Sequence, residues 1–101
     1  MPNDPGPEPL GEALRRFLDG AGLAPRVEQA AVLEEWPRVV GPTVAAVTRP
    51  MAVTADGTLF VAVRTAAWMS ELALLEREIV SRLREVSPRA PVVRIRWQMA
   101  P

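Results

Sequence analysis

"RTAAWMSELALLEREIVSRLRE", residues 64–85, contains the longest apolar stripe in this chain of 101 residues. Its large apolar side chains recur at steps of three and four positions, which is the period of one face of an α-helix. The members of the stripe are Trp68, Leu72, Leu75, Ile79 and Leu83, and Val86 continues it just after the quoted stretch. Thr65 precedes them and suits an N-cap, since its hydroxyl can accept a hydrogen bond from the first turn. We therefore predict one long helix starting after Thr65, with Trp68 in the core.

A β-hairpin is predicted just before this helix, in residues 50–65 ("PMAVTADGTLFVAVRT"). A three-residue loop with Gly57 left-handed in a bulge pairs Val53 with Leu59. We prefer this register because it gathers the aliphatic side chains on one face. That face holds Met51, Val53, Leu59, Val61 and Val63, and the other holds Ala52, Phe60, Ala62 and Arg64.

A third strand is predicted after the helix, in residues 92–99 ("VVRIRWQM"). Strict alternation indicates one buried and one polar face. The buried set is Val93, Ile95, Trp97 and Met99, and the other set is Val92, Arg94, Arg96 and Gln98.

The first part of the chain is predicted to be helical after a short acidic, proline-rich start. We expect residues 1–9 ("MPNDPGPEP") to be disordered and residues 10–22 to form a first helix. A second helix starts at Pro25 and is expected to kink or break at Trp36, because the following proline disfavours helical geometry there. One further turn begins at Pro42. The order α-α-β-β-α-β predicts a single α+β domain over residues 10–101, with a three-stranded sheet and helices on one face.

The composition argues against an enzyme and against a metal site. The sequence contains no cysteine, histidine, lysine or tyrosine, so it has no imidazole, thiol or amine for proton transfer or covalent catalysis. Carboxylates alone are a poor ligand set for zinc. We expect no catalytic residues, no metal and no cofactor.

The charge is balanced overall but unevenly distributed along the chain. Residues 1–35 carry seven acids and three arginines, and residues 36–101 carry nine arginines and five acids. This asymmetry indicates either an anionic partner for the second half or internal pairing between the halves. No signal peptide or membrane-spanning stretch is visible, so we expect a cytoplasmic protein.

Two segments together resemble a known family. They are "VLEEWPRVVGPTVAAVTRP" (residues 32–50) and "DGTLFVAVRTAAWMSELALLEREIVSRL" (residues 56–83). Their shared features are a tryptophan followed by Val-Val-Gly, a Thr-x-Pro before a strand, an Asp-Gly-x-Leu-x-Val-x-Val strand and a Trp-x-x-Glu-Leu-x-x-Leu helix. This ordered set is similar to the DciA family of bacterial proteins, whose domain resembles a KH fold.

The resemblance implies a non-enzymatic role in DNA replication, in which the protein engages the replicative DNA helicase, assists its loading and contacts DNA. A KH-type G-x-x-G clamp is not expected, because the nearest segment has only Gly41. Many relatives carry a long basic extension, and from the domain without it we expect only weak autonomous DNA binding.

Two surfaces are candidates for these contacts. The open sheet face carries Phe60, Arg64, Arg94 and Arg96, a combination suited to phosphate contact and base stacking on single-stranded or junction DNA. The alternative is an ordinary solvated face with the arginines paired to glutamates.

The second candidate surface is a contact with the helicase. Leu74 lies on the polar side of the long helix and could anchor in a groove of that partner. Trp36 is either a core residue or a second partner contact. Glu76 lies among apolar positions, and we expect an arginine to pair with it.

Two other functions remain open. The protein could be a stand-alone nucleic-acid-binding module, with RNA as a possible ligand. It could also be a dimerising scaffold that extends its sheet through the third strand; the sequence does not fix the oligomeric state.

Overall fold

The computed structural model describes residues 24–101. In chain order the elements are α1 (Ala24–Val40), α2 (Pro42–Ala45), β1 (Thr48–Val53), β2 (Thr58–Val63), α3 (Ala66–Leu74), α4 (Glu76–Val86) and β3 (Arg94–Met99). The fold is α+β, as the sequence predicts. The expected disordered segment over 1–9 and the expected helix over 10–22 lie outside the described residues. Between residues 24 and 101, no helix is long and apolar enough to span a bilayer.

The three strands form one sheet in the order β1-β2-β3. β1 and β2 pair antiparallel, with Val53 opposite Leu59, which confirms the predicted register. β2 and β3 run parallel, with Leu59 opposite Ile95. Directly paired residues share a face of the sheet, so the aliphatic rows of β2 and β3 point the same way.

Gly57 makes the tight turn of the hairpin. Its φ is +89°, the left-handed region that glycine adopts without steric cost. Its N–H donates to the Thr54 carbonyl (3.0 Å), and its own carbonyl accepts from the Val93 N–H (2.8 Å). A Cβ at this position would stand 2.7 Å from the Pro91 carbonyl oxygen. The turn therefore also binds the segment that leads into β3.

The prediction for Met51 is wrong because β1 contains a bulge. The pairing shifts between Pro50, which faces Val61, and Ala52, which faces Phe60. The extra residue is Met51, which is exposed and accepts a 3.2 Å contact at its sulfur from Gln98. An inserted residue reverses which side chains before it point to each face of the sheet. Met51 therefore does not lie on the aliphatic face.

The core lies between the helices and one face of the sheet. Buried side chains come from α1, β2, both later helices, β3 and the segment just before β3: Val32, Trp36, Leu59, Val61, Val63, Leu72, Ile79, Val80, Leu83, Val92 and Ile95. Burying each aliphatic side chain of this kind contributes about 1.5–3 kcal/mol. Trp68 packs against this cluster but stays half-buried. The one-sided arrangement leaves the opposite sheet face open.

The long helix predicted after Thr65 is divided in two. Thr65 is the N-cap and accepts a 3.1 Å hydrogen bond from the Trp68 N–H, as predicted. At Leu75, with φ −97° and ψ 2°, the N–H bonds to the Leu72 carbonyl three residues back. This tighter turn ends α3 and takes Leu75 off the buried stripe, leaving it 44% exposed.

Of the kink or break predicted at Trp36, the break is wrong. α1 continues through Pro37 to Val40 and ends at Gly41, whose φ is +87°. Trp36 is only 1% exposed, and its indole N–H donates to the Thr48 hydroxyl (2.9 Å). Burial and this hydrogen bond hold Trp36 in the helix against the preference imposed by the following proline.

The start and end of the third strand differ from the predicted alternation. β3 begins at Arg94, and before it Val92 is fully buried whereas Val93 is exposed. The chain has not yet entered the strand at these positions, so the period of two does not apply. Met99, at the other end of β3, is also exposed.

Candidate nucleic-acid and partner interfaces

The open sheet face carries the side chains that alternate with the aliphatic core residues. The pairs across β2 and β3 are Thr58 with Arg94, Phe60 with Arg96, and Ala62 with Gln98. Both arginines are exposed and Phe60 is half-buried beside them, in a shallow depression of the face. The structure therefore brings together three of the four predicted nucleic-acid residues, and the fourth, Arg64, follows β2 two positions after Ala62.

Arg94 is engaged by its neighbours. Its guanidinium donates to the Thr58 hydroxyl (2.7 Å) and lies 3.3 Å from the Asp56 carboxylate. Hydrogen bonds from Thr54, opposed by burial and assisted by Thr58 and the Arg94 charge, lower the pKa of Asp56 below its usual 3.8. Asp56 is thus ionised at neutral pH, and Arg94 has a permanent anionic neighbour.

Arg64 and Arg96 are exposed and not engaged in this way. Neither side chain forms a hydrogen bond or an ion pair with any residue in the described range 24–101. Among the described residues, no glutamate neutralises either of these two positions. Within residues 24–101, the one carboxylate paired to an arginine of this face is that of Asp56, at the hairpin end.

Arg49 is a member of the face that sequence reasoning missed. It pairs with Ala62, so it shares the open face and lines a depression there with Arg64 and Ala100. Without the bulge at Met51, Arg49 would stand opposite Val63 and point to the core. The signal that was available is Pro50, because a proline inside a strand is typical of an edge strand or a bulge.

Leu74 lies on the helical side of the molecule, at the C-terminal end of α3. It is 81% exposed, and the next residue, Leu75, is 44% exposed. A single exposed leucine is common, but two consecutive ones at a helix junction form an apolar step. We call Leu74 and Leu75 the leucine step.

The structure corrects the expectation that Trp36 contacts a partner. Its ring is buried in the core, 6.3 Å from the ring of Trp97 at an interplanar angle of 56°. The indole N–H is already bonded to Thr48. Trp36 is a structural residue of α1 and has no exposed surface to offer.

Glu76 has a different partner from the predicted arginine. Its two carboxylate oxygens accept hydrogen bonds from the Ile95 backbone N–H and from the Trp97 indole N–H, each at 3.1 Å. Glu76 is the first residue of α4, where a negative charge is also favoured by the helix dipole. Its role in the described structure is to fasten β3 to the helices.

Comparisons with known proteins show the family to which the chain belongs. The family model described as "Dna[CI] antecedent, DciA" matches residues 9–97. A UPF0232 protein of Rhodococcus jostii (strain RHA1) is 30% identical over 82 residues, covering 81% of this chain and 43% of the relative. A UPF0232 protein of Mycobacterium marinum is 29% identical over the same length, with the same coverage. The chain thus spans less than half the length of these curated relatives. Because the family match extends through every element from α1 to nearly the end of β3, the chain belongs to the DciA family.

Proposed function

We propose that this protein is a non-enzymatic accessory factor of DNA replication that engages the replicative DNA helicase, assists its loading and contacts DNA weakly. The observation that carries the proposal is the family match over residues 9–97. Such a role belongs in the bacterial cytoplasm. The absence of histidine, cysteine, lysine and tyrosine from the sequence supports a role in binding and not in catalysis.

The leucine step is the surface that we assign to the helicase. Leu74 is the most exposed of the large hydrophobic residues in the described part of the chain. An exposed aliphatic side chain on a helix can insert into an apolar groove of a partner, where its burial contributes about 1.5–3 kcal/mol. The arginines lie on the opposite face of the sheet, so both contacts can form together.

A capture experiment with the cognate replicative helicase tests this assignment. We expect immobilised wild-type protein to retain the helicase and Leu74→Asp to lose at least tenfold in affinity, because the substitution places a charge in an apolar contact. Val27→Asp is the matched control: Val27 is also exposed, at 56%, but lies on α1.

The outcomes distinguish an error in the proposed partner from an error in the proposed contact surface. Failure of the wild type to retain the helicase contradicts the proposed function. Equal retention of the wild type and Leu74→Asp leaves the function standing and removes the leucine step from it.

The DNA contact is assigned to the open sheet face. Exposed arginines beside an aromatic ring suit phosphate contact with base stacking, and such binding weakens as salt rises because counterions are released. Neutralising about three phosphates gives a log–log salt slope of about −2 on a single strand. An affinity that does not depend on salt contradicts this assignment.

A stand-alone nucleic-acid-binding module is the second candidate function. The unengaged guanidinium groups of Arg64 and Arg96 favour it. Strong binding to an oligonucleotide together with no retention of the helicase supports this candidate over the first. Parallel titrations with oligothymidylate and oligouridylate distinguish a DNA ligand from an RNA ligand.

A further inference from the structure

We propose that a single-stranded nucleic-acid backbone crosses the open sheet face over Arg49, Arg64 and Arg96, and that Asp56 holds Arg94 out of this path. The inference rests on the proposed DNA contact and specifies its residues. It adds Arg49 to the contact and assigns Arg94 to the structure of the hairpin end.

The β1 bulge is what brings Arg49 into the path. The shift in pairing between Pro50 and Ala52 places Arg49 opposite Ala62 on the open face. Its side chain is exposed and makes no hydrogen bond or ion pair with the described residues. Arg49 is therefore as available to a phosphate as Arg64 and Arg96.

The three available arginines lie on β1, on β3 and just past the end of β2, in three successive rows of the open face. Arg96 lies in the row of Phe60, Arg49 lies in the row of Ala62, and Arg64 follows two residues after Ala62, just beyond β2. Strand spacings of about 4.8 Å and a rise of about 3.3 Å per residue place their Cα atoms within about 15 Å of one another. A short stretch of one polyanionic strand can contact all three.

Phe60 indicates a single strand as the occupant. The ring lies directly across from Arg96, half-buried in the depression that Arg94 and Arg96 also line. An unpaired base can stack on such a ring, whereas a base inside a duplex is already stacked on its neighbours. The charge of the three guanidinium groups complements the phosphates on either side of that base.

Arg94 differs from the other three because one of its guanidinium nitrogens already has two partners and a carboxylate beside it. Nη1 contacts the Thr58 hydroxyl at 2.7 Å and the Asp56 carboxylate at 3.3 Å. A phosphate that approached the remaining donors of Arg94 would be repelled by the negative charge of Asp56. The lowered pKa of Asp56 keeps that charge in place at any ordinary pH. The hairpin end of the face is thus closed to a polyanion.

Salt titrations of a fluorescently labelled oligothymidylate test this path. With three phosphate contacts, the affinity of the wild type is expected to fall about 18-fold between about 50 and 200 mM salt, the change that a slope of about −2.1 gives. Arg49→Ala removes one contact, so its affinity falls only about 7-fold over the same range. Arg94→Ala is expected to behave like the wild type.

Removing the negative charge at the hairpin end provides the opposite test. Asp56→Asn releases Arg94 and removes the repulsion, so we expect tighter binding and a fall of about 50-fold over the same salt range. For Arg49→Ala the charge-matched control is Arg77→Ala, because Arg77 is exposed on α4 and makes no ion pair with the described residues. Circular dichroism of each variant verifies that the fold is retained.

The results separate this inference from the proposed function. If the wild type does not bind the oligonucleotide at low salt, the DNA contact is wrong and the path with it. If the wild type binds but Arg49→Ala matches Arg77→Ala, or Arg94→Ala is the variant that loses affinity, the path is overturned and the DNA contact stands.

Discussion

At the scale of single residues, a short chain of hydrogen bonds explains why Trp36 is structural. The indole N–H donates to the Thr48 hydroxyl at 2.9 Å, and that hydroxyl donates to the Val44 carbonyl at 2.8 Å. One threonine thereby joins α1, α2 and the start of β1. Each donor and acceptor in this partly buried group is satisfied, which removes the cost of burying polar atoms.

Thr48→Val tests this chain, because valine keeps the shape of threonine but cannot accept from the indole. We expect a loss of about 1–3 kcal/mol in the free energy of unfolding, the typical cost of leaving a buried donor without a partner. Urea denaturation followed by circular dichroism measures it. Thr43→Val, at an exposed position of α2, is the control and is expected to change stability by less than about 0.5 kcal/mol. Equal effects of the two substitutions would show that the hydrogen bond has no special role.

At the scale of secondary-structure elements, local sequence patterns predict the features that interactions between neighbouring residues determine. The hairpin register followed from the Asp-Gly turn and from gathering aliphatic residues, and Thr65 was identified as an N-cap. The open face followed from the alternation of β2 and β3. For the same reason the sequence alone predicts that Phe60, Arg94 and Arg96 lie together.

The features that the sequence did not predict arise from contacts between distant segments. The helix break at Leu75 has no proline or glycine to signal it, and it coincides with Glu76, whose partners are on β3. The bulge at Met51 moves Arg49 across the sheet. The hydrogen-bond partners of Glu76 and the face of the sheet on which Arg49 lies both depend on tertiary contacts. The periodicity of the sequence does not encode such contacts.

Glu76→Gln is expected to loosen the attachment of β3. Both groups that face Glu76 are donors, the Ile95 N–H and the Trp97 indole N–H. A carboxylate accepts from both, whereas a carboxamide has one acceptor oxygen and would turn its NH₂ toward the other donor. We expect a loss of about 1–3 kcal/mol in unfolding free energy.

The control for this substitution is Glu78→Gln on the same helix. Glu78 forms an exposed ion pair with Arg82 at 2.7 Å, and such i,i+4 pairs contribute only about 0.2–0.5 kcal/mol. Both variants lose one negative charge, so the difference between their denaturation midpoints reports the two hydrogen bonds of Glu76. Stabilities of the two variants that agree within error contradict the role assigned to Glu76.

At the scale of the whole molecule, the packing of the helices against one face of the sheet produces two kinds of surface. The helical side presents the leucine step, which suits an apolar contact with a protein. The open sheet face presents three unengaged arginines and Phe60, which suit a polyanion. β3, at one edge of the sheet, is fastened by Glu76, so the Ile95 N–H is not free to pair with another chain. This contact weakens the case for a scaffold that dimerises through β3.

The most direct test of the account is the amount of cognate replicative helicase loaded on single-stranded DNA, measured by strand displacement from a forked substrate with and without this protein. We expect wild type to increase the fraction of substrate unwound at limiting helicase. Leu74→Asp is expected to abolish the increase, and Arg49→Ala with Arg96→Ala to reduce it while helicase capture is retained. No increase with wild-type protein, at concentrations that saturate capture, would contradict the central claim that the protein assists helicase loading.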